Sequence, residues 1–450
     1  MNIIKFTNKY NKVILFLVGW ILFISVELQC KNITWSCDAA DYWGRGVELV
    51  NNHFDFSAFN GFRGYVFPLF LALINKIGGQ KAWFLINPAV LSFVLLTIVK
   101  RFFESFSFLK YLIVIILVCF LYTGIVAFPL SDIYALFSLC VAIVFTKNLL
   151  ETDKLYKRFL YSILIGFFLY VAYNIRTIYV FSIVALYILV IAYNFYSSKQ
   201  TVFKSFLDLI GMLFGIQIAG IPQGIINYFQ SGKYCLSVPT NGLMLQQMYW
   251  GLQYQRYDTY INYLNDLSHP LPQVYFMDPV GNRILEAMKV DSFSSWNEYF
   301  NIFIHYPIDV LEIYLRHFVN FLFPCWPKLY IENLNSSKWL LGVVGLSIIF
   351  LGVLCMVFKC IKSNKALFLM VPIVIPSIMI IPGAVEYRFS LGIYFYVIIN
   401  LCFNTDWHLL KQKFLYNKWI ISFIYIIFLV LVFGIWSSML ASETVLPLFL

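Results

Sequence analysis

The chain has 450 residues; 61% are hydrophobic, 12% are charged, and the formal net charge is +10. A soluble domain is about half apolar and about a quarter charged, and a soluble core of this length could not hide so much apolar surface, so lipid is the expected solvent. No basic tract with interleaved aromatics accompanies the charge, which excludes nucleic acid as the partner.

The expected fold is an all-α polytopic membrane protein with about eleven transmembrane helices, an interfacial helix in the first outer loop and a large outer loop domain. The first apolar run lacks a small-x-small cleavage site after it and reads as an anchor, spanning 13–29. An acidic loop follows, and then a short apolar stretch, 65–77, which carries Pro68 and ends at Gly78-Gly79. That stretch is too short to span and reads as an interfacial helix. Further spans are expected at 82–99, 111–128, 131–147, 159–173, 177–196 and 205–223. A large polar segment rich in Tyr, Asn, Gln and Asp fills 224–337. The last spans are expected at 338–358, 366–382, 388–403 and 419–439. The chain therefore divides into an N-terminal membrane module, 1–223, which includes the outer loop 30–81; a large periplasmic or extracellular loop, 224–337; and C-terminal helices, 338–450.

Charge sets the expected orientation. With a cytoplasmic N-terminus, the short inner segments hold basic residues such as Lys100, Arg101, Lys154, Lys157, Arg158, Lys359 and Lys411. Their acids are Glu104, Glu151, Asp153 and Asp406. This is the positive-inside pattern, so the net charge is a topology signal rather than a partner signal. The expected location is the inner (plasma) membrane, with polar chemistry on the periplasmic or extracellular side. The nine cysteines show no metal-ligand spacing. Cys30, Cys37, Cys235 and Cys325 lie in polar loops, where an oxidising compartment would allow Cys30–Cys37 or Cys235–Cys325 pairing.

Four constellations sit at the expected outer face. Asp38 and Asp41 are spaced i, i+3 and share a helix face, where a carboxylate can accept a proton from a hydroxyl nucleophile or simply begin a helix. Arg63 can hold a phosphate through its fork, or snorkel at the interface. Ser131 and Asp132 suit the positive end of the following helix, a role that alone accounts for both residue types. Glu386, Tyr387 and Arg388 stand at the mouth of the tenth span; Glu and Arg two apart do not face each other on a helix, which leaves them free for separate partners. Arg176 adds a further cation. Acids and arginines at one water–lipid boundary suit a lipid-phosphate substrate. Aromatics in the large loop, Tyr249, Trp250, Tyr254 and Tyr257, offer faces for sugar rings or anchors at the interface.

The order of these motifs resembles the GT-C superfamily of polyprenyl-phosphate-sugar-dependent glycosyltransferases, on the bacterial branch related to protein mannosyltransferases and lipid A aminoarabinose transferases. The resemblance rests on Asp38-Ala39-Ala40-Asp41-Tyr42-Trp43, the run from Arg63-Gly64-Tyr65 to Gly78-Gly79, Leu130-Ser131-Asp132, and Asn174-Ile175-Arg176-Thr177. It continues through Pro239-Thr240-Asn241-Gly242, His305-Tyr306-Pro307-Ile308-Asp309 and Glu386-Tyr387-Arg388-Phe389. The adjacent acidic pair usual in the family's first loop is absent. The resemblance implies a hexosyl- or pentosyltransferase that moves a sugar from a polyprenyl-phosphate donor to a cell-surface glycan, lipid or protein acceptor, as in O-antigen or lipopolysaccharide assembly. It places catalysis on the first-loop acid, best matched by Asp38, with Asp41 and Asp132 as further candidates. Substrate binding falls to Arg63, Arg176, Glu386, Tyr387, Arg388 and His305. No metal ligand set is evident, and a divalent ion is the cofactor that hard carboxylate ligands would allow. The rival readings are an O-antigen polymerase or ligase using a polyprenyl-diphosphate oligosaccharide, and a non-enzymatic lipid or glycan transporter.

Overall fold

In lipid, an isolated backbone satisfies its own N–H and C=O groups only by coiling, so the long apolar runs become helices. The structure, a computed structural model, describes residues 2–30, 35, 37–57, 59, 63–103, 106–196, 202–240, 242–259, 273–324 and 338–446. The first half holds α1 (Asn2–Cys30), α2 (Cys37–Asn51), α3 (Val66–Phe102), α4 (Phe108–Leu121), α5 (Thr123–Ala127), α6 (Ser131–Glu151), α7 (Leu155–Ile175), α8 (Val180–Tyr196) and α9 (Val202–Ser231). The middle holds α10 (Leu243–Gln253), strands β1 (Tyr254–Thr259) and β2 (Gln273–Met277), α11 (Pro279–Met288), α12 (Trp296–His305) and α13 (Pro307–Leu322). The last part holds α14 (Lys338–Val357), α15 (Asn364–Leu369), α16 (Ile375–Met379), α17 (Leu391–Ile399), α18 (Trp407–Tyr416), α19 (Lys418–Leu440) and β3 (Glu443–Leu446).

Among the described residues, eight helical stretches are long and apolar enough to cross a membrane: Lys12–Cys30, Val66–Phe102, Ser131–Glu151, Leu155–Ile175, Thr177–Asn194, Phe203–Ser231, Trp339–Val357 and Lys418–Leu440. This is the construction of a membrane-embedded, mainly helical protein. Three of the eleven expected spans are not single long helices. The 111–128 run is α4 followed by the short α5, with Tyr122 out of helical conformation between them. The 366–382 run is cut by Pro372 and Pro376 into α15, a 3₁₀ turn and α16. The 388–403 run is a 3₁₀ turn, the short α17 and a π turn, Asn400–Asn404.

The short stretch 65–77 is a helix in its own right, as expected: α3 is two helices that meet at a kink, where Gly78 is extended and Gly79 takes φ +61°. A positive φ at this bend is what glycine permits at no steric cost.

The main core joins α1, α3, α4 and α6–α8 with α14–α17; α7 lies along both α6 and α9, and α1 along α3. A second, smaller core belongs to the middle segment, where Leu252, Ile284, Leu285, Ile302, Val310 and Ile313 pack together. That segment begins later than expected, because α9 runs on to Ser231. Its strands form an antiparallel sheet, β1-β2-β3, and the third strand comes from the far end of the chain. Cys30 and Cys235 carry free thiols. The side chains of Cys37 and Cys325, their suggested partners, lie outside the described residues.

Candidate functional site: a network of arginines and carboxylates

Asp38 lies in the first turn of α2 and Asp41 one turn later, so both carboxylates leave the same helix face. Arg63, just ahead of α3, meets both: its Nη2 lies 2.7 Å from Asp38 Oδ1 and its Nε 2.7 Å from Asp41 Oδ2. Its Nη1 donates to the Tyr42 hydroxyl at 3.0 Å. Ser131 Oγ donates to the same hydroxyl at 3.1 Å, which brings the start of α6 into the group. Ser131 is therefore not the cap of α6. Leu130 occupies that position, and the serine hydroxyl, already inside the helix, turns to Tyr42.

From Asp38 the network continues. Arg388 Nη1 lies 2.6 Å from Asp38 Oδ2, and its Nη2 lies 2.9 Å from Glu386 Oε1. The same Nη1 stands 4.0 Å from Asp132 Oδ2, and Asp132 Oδ1 is held by Arg176. Arg45 closes the other end through Asp41 Oδ1 at 3.0 Å. The Phe389 ring lies under two of these guanidiniums, Arg176 at 5.0 Å and Arg388 at 5.2 Å. Glu386 and Arg388 pair with one another, contrary to the helix-based expectation. Glu386 is extended and Arg388 lies in a 3₁₀ turn, so the rule for side chains two apart on an α-helix does not apply.

Local sequence explains how these segments converge. Gly64 lies so close to the end of α7 that a Cβ there would sit 1.9 Å from the Asn174 carbonyl oxygen. Only glycine lets the Arg63 segment pass at that distance. Asn174 Oδ1 then accepts the Val66 backbone N–H at 2.9 Å, while its amide donates to Gln223 at 3.0 Å. The adjacent Arg176 is extended and reaches Asp132. Asn174-Ile175-Arg176 thus fixes the Arg63 segment with one residue and Asp132 with another. Asp132, in the first turn of α6, also benefits from the positive helix end. On the remaining side, Tyr387 stacks on Tyr122 with ring centroids 4.9 Å apart and donates to the Leu121 carbonyl at 3.0 Å. Tyr387 is therefore a buried anchor that presents its neighbours, rather than a ligand-facing group.

Burial alone would raise the Asp38 pKa, but Arg388 and Arg63 outweigh it and hold this carboxyl well below the usual carboxylate range. Burial likewise opposes the charge on Arg63, and Tyr42, Asp38 and Asp41 more than restore it. A cavity of about 30 Å³ opens beside the network, lined by Asp132, Arg176, Tyr179, Ser377, Arg388 and Phe389 among others. That is room for about one or two waters. Asp132 is 5% exposed, and its Oδ2 makes no hydrogen bond.

Of the residues singled out from sequence, the structure brings Asp38, Asp41, Arg63, Asp132, Arg176, Glu386 and Arg388 into one chain of ion pairs. His305 lies elsewhere, exposed at the end of α12 against the Asn301 carbonyl of its own helix. Tyr254 is buried, and Tyr249 packs edge-on against Phe293 in the second core, so neither is an open platform for a sugar. The Tyr257 side chain lies outside the described residues. Among the described residues no group of three or more His, Cys, Asp or Glu side chains could hold a metal ion.

Sequence reasoning passed over Glu27. It is 1% exposed near the end of α1 and accepts from Asn87 of α3, whose own oxygen accepts from Tyr134 of α6. A carboxyl within an apolar run is itself the signal. Sequence reasoning named Tyr42 and Asn174 only inside longer motifs, without a role, and did not pair Ser131 with Tyr42. Comparison with protein-family models, with curated proteins and with solved structures finds no match to this chain.

Proposed function

We propose that this chain is a glycosyltransferase of the plasma (inner) membrane that moves a sugar from a polyprenyl-phosphate donor to a cell-surface glycan, lipid or protein acceptor at the outer face. The observation that carries this reading is the continuous network of Arg45, Arg63, Arg176 and Arg388 with Asp38, Asp41, Asp132 and Glu386, drawn from five separate segments, most of them at the ends of apolar helices. Such a site offers forked cations for a phosphate head while leaving the isoprenoid chain among lipid-facing helices. The basic bias of the inner segments supports the outer placement.

In the reaction, the acceptor oxygen attacks the anomeric carbon and the bond from that carbon to the phosphate oxygen breaks. The electron pair leaves with the lipid phosphate, where the guanidiniums of Arg63, Arg176 and Arg388 stabilise the growing charge. A carboxylate, Asp38 first and Asp132 second, takes the hydroxyl proton. The test is transfer of labelled sugar from a polyprenyl-phosphate sugar by purified protein, with a polyprenyl-diphosphate oligosaccharide as the competing donor. Use of the diphosphate alone would move the assignment to a polymerase or ligase. Full activity in both Asp38→Asn and Asp132→Asn would remove the proposed base.

One observation favours a second reading, a transporter. Glu27 and the Arg158–Asp208 pair are buried ionisable groups in apolar helices. Substrate flux across vesicles without covalent change would select it.

A further inference from the structure

Every arginine of the network already holds a carboxylate, so a phosphate that takes the same guanidinium edges must displace one. Asp38 has a particular place in this competition, because each of its oxygens is taken by a different guanidinium: Oδ1 by Arg63 at 2.7 Å and Oδ2 by Arg388 at 2.6 Å. Those two arginines are among the three proposed to meet the donor phosphate. The adjoining cavity, about 30 Å³, has room for about one or two waters. Arg388 also has an alternative partner within reach, since the Asp132 oxygen that makes no hydrogen bond lies 4.0 Å from the same Nη1.

Resting on the glycosyltransferase reading, we propose that donor binding is an ion-pair exchange: the phosphate takes Arg63 and Arg388 from Asp38, and the carboxylate so released is the base. The empty site is thereby held inactive, because a carboxylate clasped on both oxygens is a poor proton acceptor. Its depressed pKa agrees with that geometry. Charge accounting gives the same direction. The named arginines and carboxylates of the empty network balance, and a phosphodiester adds one negative charge. The acceptor hydroxyl's proton, passing to Asp38 as the new C–O bond forms and the C–O(P) bond breaks, offsets the second negative charge that the departing phosphate monoester gains. The groups facing Asp38 are Arg63, Arg388 and, at longer range, Arg176, with Asp41 and Tyr42 on its own helix and Asp132 and Glu386 beyond Arg388.

The test uses the full-length protein in detergent micelles and farnesyl methyl phosphate, a phosphodiester whose charge does not change with pH. Dimethyl phosphate is the free-phosphate control. Wild-type protein should bind the farnesyl probe with proton uptake, and the affinity should rise as pH falls toward about 4, the ordinary carboxylate value. Asp38→Asn should bind the probe more tightly, by roughly tenfold, without proton uptake, because the competitor for the arginines is neutral. The same variant should lose sugar transfer. Weaker or unchanged binding by folded Asp38→Asn would overturn the exchange, as would proton uptake that persists in it. Should Asn at this position fail to fold, the absence of any pH dependence of binding in wild-type protein would overturn it equally. Dimethyl phosphate binding as tight as that of the farnesyl probe would uphold the exchange and refute the lipid donor. Failure of both proteins, still folded, to bind either probe would refute the glycosyltransferase reading itself.

Discussion

Helix α7 carries an arginine at each end, about 30 Å apart for a helix of 21 residues, and the two are treated very differently. At its start, Arg158 pairs with Asp208, with 2% and 0% of the two side chains exposed. Its remaining donors go to the carbonyls of Leu149 at 3.1 Å and Thr152 at 3.3 Å, and to Asn194 at 3.3 Å; Asn194 returns a bond to Asp208 at 3.1 Å. One cation meets one anion, and neutral groups complete the shell. At the other end, Arg176 joins a string of several acids and bases, partly exposed, with a small cavity and an acid oxygen lacking a hydrogen bond. The first arrangement can only be broken, whereas the second can be rearranged by an incoming charge. A closed pair ties α7, α8 and α9 together; an open network has partners to exchange.

The largest effect expected from this contrast is at the closed pair. Arg158→Ala leaves Asp208 charged and buried, and should cost about 3–5 kcal/mol of stability. Thermal melting in detergent measures it, and the fraction that still folds should keep its transfer rate. A variant as stable as wild type would erase the distinction between the two ends. Next comes Arg388→Lys in the open network. Lysine keeps the charge but loses the fork that reaches Asp38 and Glu386 together. Sugar transfer should fall by roughly 10²–10³-fold, the scale seen when one stabilising donor is removed. The melting temperature should drop far less than in Arg158→Ala. A stability loss as large as that variant's would make the network structural.

A smaller effect concerns pH. The Asp38 pKa is depressed in the folded protein, so its contribution to stability is present above the unfolded carboxylate value of about 4 and is lost as pH falls through that value toward the depressed one. Acid melts should therefore steepen below about pH 4 in wild type and flatten in Asp38→Asn. An identical acid limb in both proteins would show that the arginines do not grip this carboxylate.

What the sequence revealed, and what it hid, follows from the range of the forces involved. A helix in lipid needs a contiguous apolar run, so the long helices around α1, α6, α7 and α19 are readable as strings. Most acids and arginines of the network were readable because they stand beside the end of an apolar run; Arg45, inside α2, was not singled out. The pairing of these groups was not readable, since Asp38 and Arg388 are brought together only when α2 and the segment before α17 meet. Arg158 looked like one more inner-loop cation; nothing local distinguishes it from Lys157, its half-buried neighbour in sequence, and only Asp208, fifty positions on, makes it a core residue. Pro372 and Pro376 were visible warnings against a span at 366–382, and apolar length outweighed them. Strand β3 pairs with β2 across most of the C-terminal half, a register no local pattern contains.

The smallest expected effect lies at the edge of the network and tests whether exposure grades its members. Arg45 and Asp41 are an i, i+4 pair on α2, with Asp41 36% exposed. Solvent screens such a pair, and exposed helix pairs of this spacing contribute about 0.3–0.5 kcal/mol. Asp41 also keeps Arg63 on its other oxygen. Arg45→Ala should therefore leave the melting temperature within about two degrees and sugar transfer within about twofold, since the guanidiniums proposed to meet the phosphate are untouched. Were Arg45→Ala instead to abolish transfer, the phosphate would have to sit nearer α2 than Arg388. The exchange at Asp38 would then have to begin from Asp41, with Arg63 as an arginine shared between the two acids.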